Sequence, residues 1–257
     1  MLRLIGIEFK RGLLMLRRYP MEMVGQLIVI TMIFYGLFLG ARYIAGPTAQ
    51  FGERLDALVV GYVLWTFALF AIGDLSWGLM DEARTGTLEQ VFLSPYGPSR
   101  VYLARNVAGL LVTLALNLGI LLLIQLLTGV RLDFSPAVLA PLGAVLLGAY
   151  GLGFMLGALA LLFKRIQAFL NLFQFVLMFL IMTPFEQFSG TARLAGELLP
   201  MTIGAGQLRA LMARGEAFDP VVFGLALASG LAYLIVGLWV FDRAVRAAKE
   251  RGLLGGY

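Results

Sequence analysis

The sequence contains no cysteine and no histidine. The first absence removes disulfides, thiolate nucleophiles and cysteine metal sites. The second removes the usual general base and the commonest metal ligand. Charge is scarce as well: 14% of the 257 residues are Asp, Glu, Lys or Arg, against about 25% in soluble globular domains. Neither a G-x-x-x-x-G-K-[ST] phosphate loop nor a Gly-Lys pair occurs, so no nucleotide-hydrolysing site is written into the chain. No signal peptide is apparent either, because the first 22 residues are amphipathic and the first apolar run is full length.

What fills the chain instead is hydrocarbon. Hydrophobic residues make up 60% of it, where soluble domains have roughly 45–50%, and mean hydropathy is +0.89. Crossing a bilayer takes about 20 apolar residues per helix. The charge-free runs are 23–41, 57–73, 106–130, 134–163, 166–185 and 220–241, and the second reaches spanning length if it continues past Asp74 to Met80. The fold class expected is all-α integral membrane, with six transmembrane helices.

Six crossings put both termini on one side, and the Lys/Arg excess names that side. Fourteen of the 20 basic residues fall on the terminus side, from Arg3, Lys10, Arg11, Arg17 and Arg18 through Arg84, Arg100, Arg105, Lys164 and Arg165 to Arg243, Arg246, Lys249 and Arg251. Both termini are therefore expected in the cytoplasm. The net charge of +5 is spread over membrane boundaries rather than gathered on one face, which argues for lipid as neighbour and against nucleic acid.

The organisation expected is one domain over 1–257. An interfacial helix covers 1–20; spans cover 21–42, 57–80, 106–130, 134–163, 166–185 and 220–241; a cytoplasmic helix lies within 83–95; and an outer segment covers 186–219. In the first of these Leu2, Ile5, Phe9, Leu13 and Leu16 share one arc and the five basic residues another, the pattern of a helix lying in the interface. It fits a plain anchor or a surface that also meets a cytosolic partner. Pro20 marks its end, the loop 42–56 is short and polar, and Lys164 and Arg165 form a tight inner turn. The outer segment is too polar to span and too apolar to be a free loop. Leu194 with Leu198, and Leu208 with Leu211 and Met212, predict two short pieces broken by Pro200, Gly204 and Gly206. These fit re-entrant half-helices at the outer mouth or a cap on the membrane surface.

The longest polar stretch inside the apolar sequence, Met80 to Arg100, contains "TGTLEQVFLSP". Thr87 as N-cap and Gln90 three residues later predict a capping box and a two-turn helix, with Glu89 in its first turn. Leu88, Val91 and Phe92 form one apolar stripe, and Pro95 ends the helix. So short a helix is marginal alone and needs a groove, in this chain or in a partner, to bury that stripe.

The run from Glu82 through Gly86, Thr87, Leu88, Glu89 and Gln90 to Ser94 and Pro95 resembles the E…GTLEQ…SP stretch of the ABC-2 type permeases, the membrane subunits of one large group of ABC transporters. "PMTIGAGQLR", Pro200 to Arg209, is similar to the proline-to-arginine segment of that family, although Ile203 stands where a polar or aromatic residue is usual. The resemblance implies that Glu82, Gly86, Thr87, Leu88, Glu89, Gln90, Val91 and Phe92 belong to a coupling helix seated in a cytosolic ATPase. It further implies two ATPase subunits carrying ATP and Mg, a second permease chain forming a homodimer, and a bacterial or archaeal inner membrane as the location. This chain would bind no cofactor or metal and have no catalytic residue of its own.

Within the spans the ionisable residue is Asp74. It reads either as a polar contact in the transport path or as an interfacial carboxylate reached by water. On the fifth span Gln167, Asn171 and Gln174, followed by Met178, form a stripe expected to point into the protein, as a polar lining or as hydrogen-bonding glue between helices. The phenylalanines of that span read as packing or lipid-facing residues. Ala149, Gly153 and Gly157, and separately Gly36 and Gly40, form small-residue stripes for close helix approach. The function expected is the permease subunit of an ABC exporter that moves an amphipathic or lipid-like molecule, a drug or lipid, by alternating access. The alternative is an ATP-independent carrier or channel for a small ion or solute.

Overall fold

The computed structural model describes residues 2–45, 52–130, 132–163 and 166–250. The tip of the loop 42–56, Arg131, the turn at Lys164 and Arg165, and Arg251 lie outside the described residues, as do the side chains of Leu2, Arg3, Leu16, Glu53 and Arg54. Among the described residues the protein is helical throughout. Its helices are α1 (Leu2–Arg18), α2 (Pro20–Ala45), α3 (Gly52–Arg84), α4 (Leu88–Phe92), α5 (Pro98–Thr128), α6 (Leu139–Leu162), α7 (Gln167–Met182), α8 (Gly190–Leu198), α9 (Thr202–Ala213) and α10 (Pro220–Glu250). Six segments are long and apolar enough to cross a membrane: Pro20–Gly40, Leu55–Arg84, Pro98–Thr128, Pro136–Leu162, Gln167–Gln187 and Pro220–Glu250. Pro20 and Pro98 each open a helix, where a missing N–H leaves no orphan donor.

α3 and α6 are mostly buried, while α2, α7 and α10 present most of their surface outward. Lipid supplies no hydrophobic drive to gather helices, so close contact has to come from small residues and polar links. The tightest contact joins α6 to α10. A Cβ on Gly237 would lie 2.2 Å from the Gly151 carbonyl oxygen, and one on Gly230 would lie 2.4 Å from the Ala144 carbonyl oxygen. Of the two stripes expected from sequence, the one on α6 meets α3: a Cβ on Gly153 would lie 3.2 Å from the Ala71 carbonyl oxygen, and one on Gly157 would meet Leu75 and Leu79. The other departs from expectation, since nothing lies within 4 Å of a Cβ on Gly36 or Gly40. Those two glycines sit on the outward side of α2, and it is the unanticipated glycines of α10 that carry a backbone-to-backbone approach.

Polar links pin the remaining helices. Tyr62 donates to the Ile30 carbonyl at 2.7 Å, joining α3 to α2, and Trp65 Nε1 donates to the Gln174 carbonyl at 3.0 Å, joining α3 to α7. Thr66 of α3 meets Asn117 of α5 inside the bundle. The outer segment holds two helices, α8 and α9. The break between them is at Leu199 to Met201, with Met201 in left-handed backbone at φ 67°. Gly204 and Gly206 do not break anything; they lie inside α9 because a side chain at either would strike Val145 or Glu186. Leu208, Leu211 and Met212 are buried, whereas Leu194 and Leu198 of α8 are exposed.

Candidate functional site

At one end of the molecule α1, α4 and the last turns of α10 come together. α3 stops there because Gly86 takes φ +72°, and two backbone bonds close the turn: Thr87 N–H to the Glu82 carbonyl at 2.9 Å and Gly86 N–H to the Ala83 carbonyl at 3.4 Å. This is a Schellman ending, with glycine at the position that must be left-handed. Thr87 then leads into α4 without the expected capping box. Its backbone is helical, at φ −89° and ψ −11°, and no side-chain cap forms. Its hydroxyl instead turns back towards the Glu82 carbonyl at 3.4 Å and the Thr85 hydroxyl at 3.0 Å. A capping residue needs extended backbone, and the bond that ends α3 holds Thr87 out of it. The helix is correspondingly shorter than two turns, five residues long.

The groove that receives α4 belongs to this chain. Leu88 and Phe92 are buried, at 1% and 6% exposure, in a cluster with Leu79 of α3, Tyr102 of α5, Phe154 of α6 and Phe241 of α10. Tyr102 and Phe154 both meet the Phe241 ring edge-on, at 5.8 and 5.4 Å between centroids. Val91 is half-buried, and Lys249 Nζ lies 5.8 Å from the centre of the Phe92 ring. Four long helices thus hold one short one. Glu89 and Gln90 face outward, together with Leu93 at 83% exposure and Tyr96.

Glu82 faces the other way. Its carboxylate accepts from Tyr102 Oη at 2.5 Å and from Arg105 Nη1 at 2.7 Å, and Arg105 Nε approaches Glu8 Oε2 at 3.4 Å. The guanidinium also lies over the Tyr102 ring at 5.1 Å. Glu8 of α1, Arg105 of α5 and Glu82 of α3 therefore form a chain of charges directly behind α4. Of the residues read together from sequence, Glu82, Leu88 and Phe92 hold the short helix in place. Glu89 and Gln90 are free to meet something else.

Eight residues earlier on α3, Asp74 opens into a cleft of about 800 Å³ bounded by α2, α3 and α7. Gln174 and Met178 line the same cleft, so three residues singled out in the sequence meet there. Gln167 and Asn171 do not join them; both are exposed on the outward surface of α7, one and two turns nearer its start. The expectation that the whole stripe points inward fails because the side of α7 that packs on the bundle carries Leu170, Leu177, Met178 and Ile181, and Gln167 and Asn171 lie off that side. Trp65, Trp77 and Asp81 also line the cleft. They escaped the sequence reading because the cleft is assembled from three helices distant in the chain, and no single periodicity brings them together.

Comparison with known families matches the ABC-2 type transporter over residues 4–213, from α1 to the end of α9. The chain belongs to the ABC-2 type transporter family. Searches among curated proteins and among solved structures gave no match. An ABC-2 protein is the multi-pass permease subunit of an ABC-type transporter, a class that works with an ATPase partner.

At the end of this ABC-2 permease away from α4, the proline-to-arginine segment acquires a physical meaning. Arg209 is 1% exposed. Its Nε and Nη2 donate to the two oxygens of Glu186 at 2.8 and 2.7 Å, and its Nη1 donates to the Ile181 carbonyl at 2.7 Å. A bidentate pair with a third bond satisfies a guanidinium that could not otherwise be buried. It fastens α9 to the end of α7. Gly206 belongs to the same fit, since a Cβ there would sit 3.2 Å from Glu186 Oε2. Neither Glu186 nor Arg209 stood out in the sequence as one half of a pair, because 22 residues of mixed polarity separate them.

Proposed function

We propose that this permease works as an exporter of an amphipathic or lipid-like molecule, a drug or lipid, driven through α4 as a coupling helix. The observation that carries the reading is the division of α4 into two faces. Leu88 and Phe92 are locked into α3, α5, α6 and α10, while Glu89, Gln90, Leu93 and Tyr96 stand free. A helix built only to cover its own groove has no use for an exposed leucine beside a carboxylate at its tip. One that seats in another protein does, because an apolar anchor ringed by polar groups is how small interfaces hold.

In this reading the α4 end, with both termini, faces the cytoplasm of a bacterial or archaeal cell, in keeping with the basic residues gathered there. Two copies of a cytosolic ATPase carry ATP and Mg, and each seats one α4 of a permease homodimer. α8 and α9 form re-entrant half-helices at the outer mouth. Asp74, Gln174 and Met178 line the transport path, and Gln167 and Asn171, exposed on α7, face the second permease chain. The Glu8–Arg105–Glu82 chain ties α1 and α5 to the root of α4, so that a push on α4 is delivered to three helices at once.

The test is capture of the ATPase. The tagged chain is expressed with its neighbouring genes and purified, and the co-purifying nucleotide-binding subunit is counted per permease. Near-equal amounts are expected, falling sharply in Glu89→Arg, whose altered side chain points away from the permease core. If no ATPase co-purifies and transport continues without one, the coupling reading fails and an ATP-independent carrier for a small ion or solute takes its place.

A further inference from the structure

We infer that the cleft between α2, α3 and α7 is a binding site for lipophilic organic cations. The inference rests on the reading of that cleft as the transport path and names the class of molecule it takes.

The protein carries a net charge of +5, yet the lining of this cleft contains two carboxylates, Asp74 and Asp81, and no Lys or Arg. Among the described residues no hydrogen bond or ion pair holds the Asp74 carboxylate. Arg105, the cation whose field reaches it, is already committed to Glu82 at 2.7 Å and Glu8 at 3.4 Å. A carboxylate within a span is costly unless it is paired or reached by water; Asp74 is exposed on the cleft, and a cation arriving there would supply the partner that the chain does not. An anionic guest would meet two like charges and no counter-charge, and a neutral one would leave Asp74 as it was.

The rest of the lining points the same way. Trp65, Phe70, Trp77 and Phe175 border the cleft around Asp74. Trp77 is packed against Gly73, where a Cβ would lie 3.0 Å from its ring, which holds the indole on the same wall of the cleft as Asp74. Aromatic faces attract cations through their quadrupole, and most strongly where water is sparse. They also give apolar area to a greasy guest. At about 800 Å³ the cleft has room for a drug-sized molecule. Asp81 sits two turns from Asp74, about 10 Å along the helix, at the end nearer α4. It places a second negative charge where a cation would enter from that side.

The test compares two ions of the same shape and opposite sign. Purified full-length permease in lipid nanodiscs, without nucleotide, is equilibrated with tetraphenylphosphonium or with tetraphenylborate. Wild type and Asp74→Asn are measured in discs of identical lipid, which cancels partition into the bilayer. The wild type should hold the phosphonium about tenfold more tightly than Asp74→Asn, and Trp77→Leu should weaken it severalfold. Tetraphenylborate should bind Asp74→Asn at least as well as wild type. Equal phosphonium binding by wild type and Asp74→Asn, or displacement of phosphonium by the borate with equal potency, overturns the inference. Should Asp74→Asn fail to fold, a photoreactive phosphonium on the wild type decides the matter. Labelled peptides within 65–81 and 174–178 support the site, and labelling elsewhere removes it. No step needs ATP or the ATPase, so loss of the coupling reading would leave this result readable, and the reverse holds too.

Discussion

Leu88 tests how α4 is held. Its side chain is 1% exposed and, with Phe92, makes up the fully buried attachment of a five-residue helix. Burying one leucine contributes about 1.5–3 kcal/mol, and truncation to alanine in a packed site removes about 2–5 kcal/mol once the cavity is included. α6 and α10 also meet each other through backbone at Gly151 and Gly237, a contact in which Leu88 takes no part, so the loss should fall mainly on α4. Hydrogen exchange read by mass spectrometry on the peptide covering 85–97 measures this directly. At the lower bound of about 2 kcal/mol, opening of α4 becomes roughly thirtyfold more frequent in Leu88→Ala, while peptides from α6 and α10 exchange as in the wild type. Glu89→Arg, on the free face, should leave the 85–97 peptide at wild-type protection. Unchanged exchange in Leu88→Ala, or faster exchange spread evenly over all helices, would refute the view that α4 is a locally attached element.

Arg209→Met leaves the half-buried Glu186 with the 3.5 Å contact to Arg214 and its own backbone N–H; it should lower stability by about 1–3 kcal/mol, and Arg209→Met with Glu186→Leu should recover most of that. Thermal unfolding in detergent reads both, and a double variant no better than the single would show that the pair is not what fastens α9 to α7. Gly237→Ala places a carbon 2.2 Å from a backbone oxygen and should destabilise by about 1–3 kcal/mol or more. By contrast Gly36→Ala, with nothing within 4 Å, should stay within about 0.5 kcal/mol; a comparable loss there would mean that another chain packs on α2. In a double-mutant cycle, Glu82→Gln and Arg105→Gln should show a coupling of about 0.5–3 kcal/mol, and strict additivity would remove the link drawn between α3 and α5.

Hydropathy and charge were enough to count the crossings, because the same physics that excludes charge from a bilayer writes the helix ends into the sequence. The six apolar runs reappear as six helices, five of them extended at one or both ends by residues too polar to be counted from composition and the fourth, 134–163, matched by Pro136–Leu162. The apolar stripe of α4 was readable for the same reason: Leu88, Val91 and Phe92 can share a face only on a helix. Its cap was not. Thr87 and Gln90 have the spacing of a capping box, but Gly86 ends the preceding helix in a way that uses the Thr87 amide, and that competition is invisible until both helices are placed. Gly204 and Gly206 misled in a similar manner. Glycine breaks an isolated helix, yet in α9 it admits Val145 and Glu186. The Asp74 cleft lay further out of reach, since its walls come from three helices whose order around α3 the sequence does not state.

α3 joins the two ends of the functional argument. It runs unbroken from Gly52 to Arg84 without a proline, so Asp74 and Glu82 are fixed points on one rod. Their eight-residue separation is about 12 Å of axial rise. Any displacement at the Schellman turn below Glu82 therefore reaches Asp74 as a rigid shift or rotation of the helix and is not absorbed between them. Among the links that oppose that shift, Arg105 holds Glu82 to α5, Thr66 meets Asn117 of the same helix, Trp65 and Tyr62 hold the rod to α7 and α2, and α6 packs against Ala71 and Leu75. The bonds from Trp65 and Tyr62 border the same cleft that Asp74 faces, and both end on backbone carbonyls, which tolerate a sliding or turning donor better than a bidentate pair does. The end of the molecule near Arg209 is fastened by just such a bidentate pair and by buried packing against α3 and α6. On the coupling reading, movement delivered through α4 travels along α3 to the cleft, where hydrogen bonds to backbone carbonyls are the fastening that yields more easily.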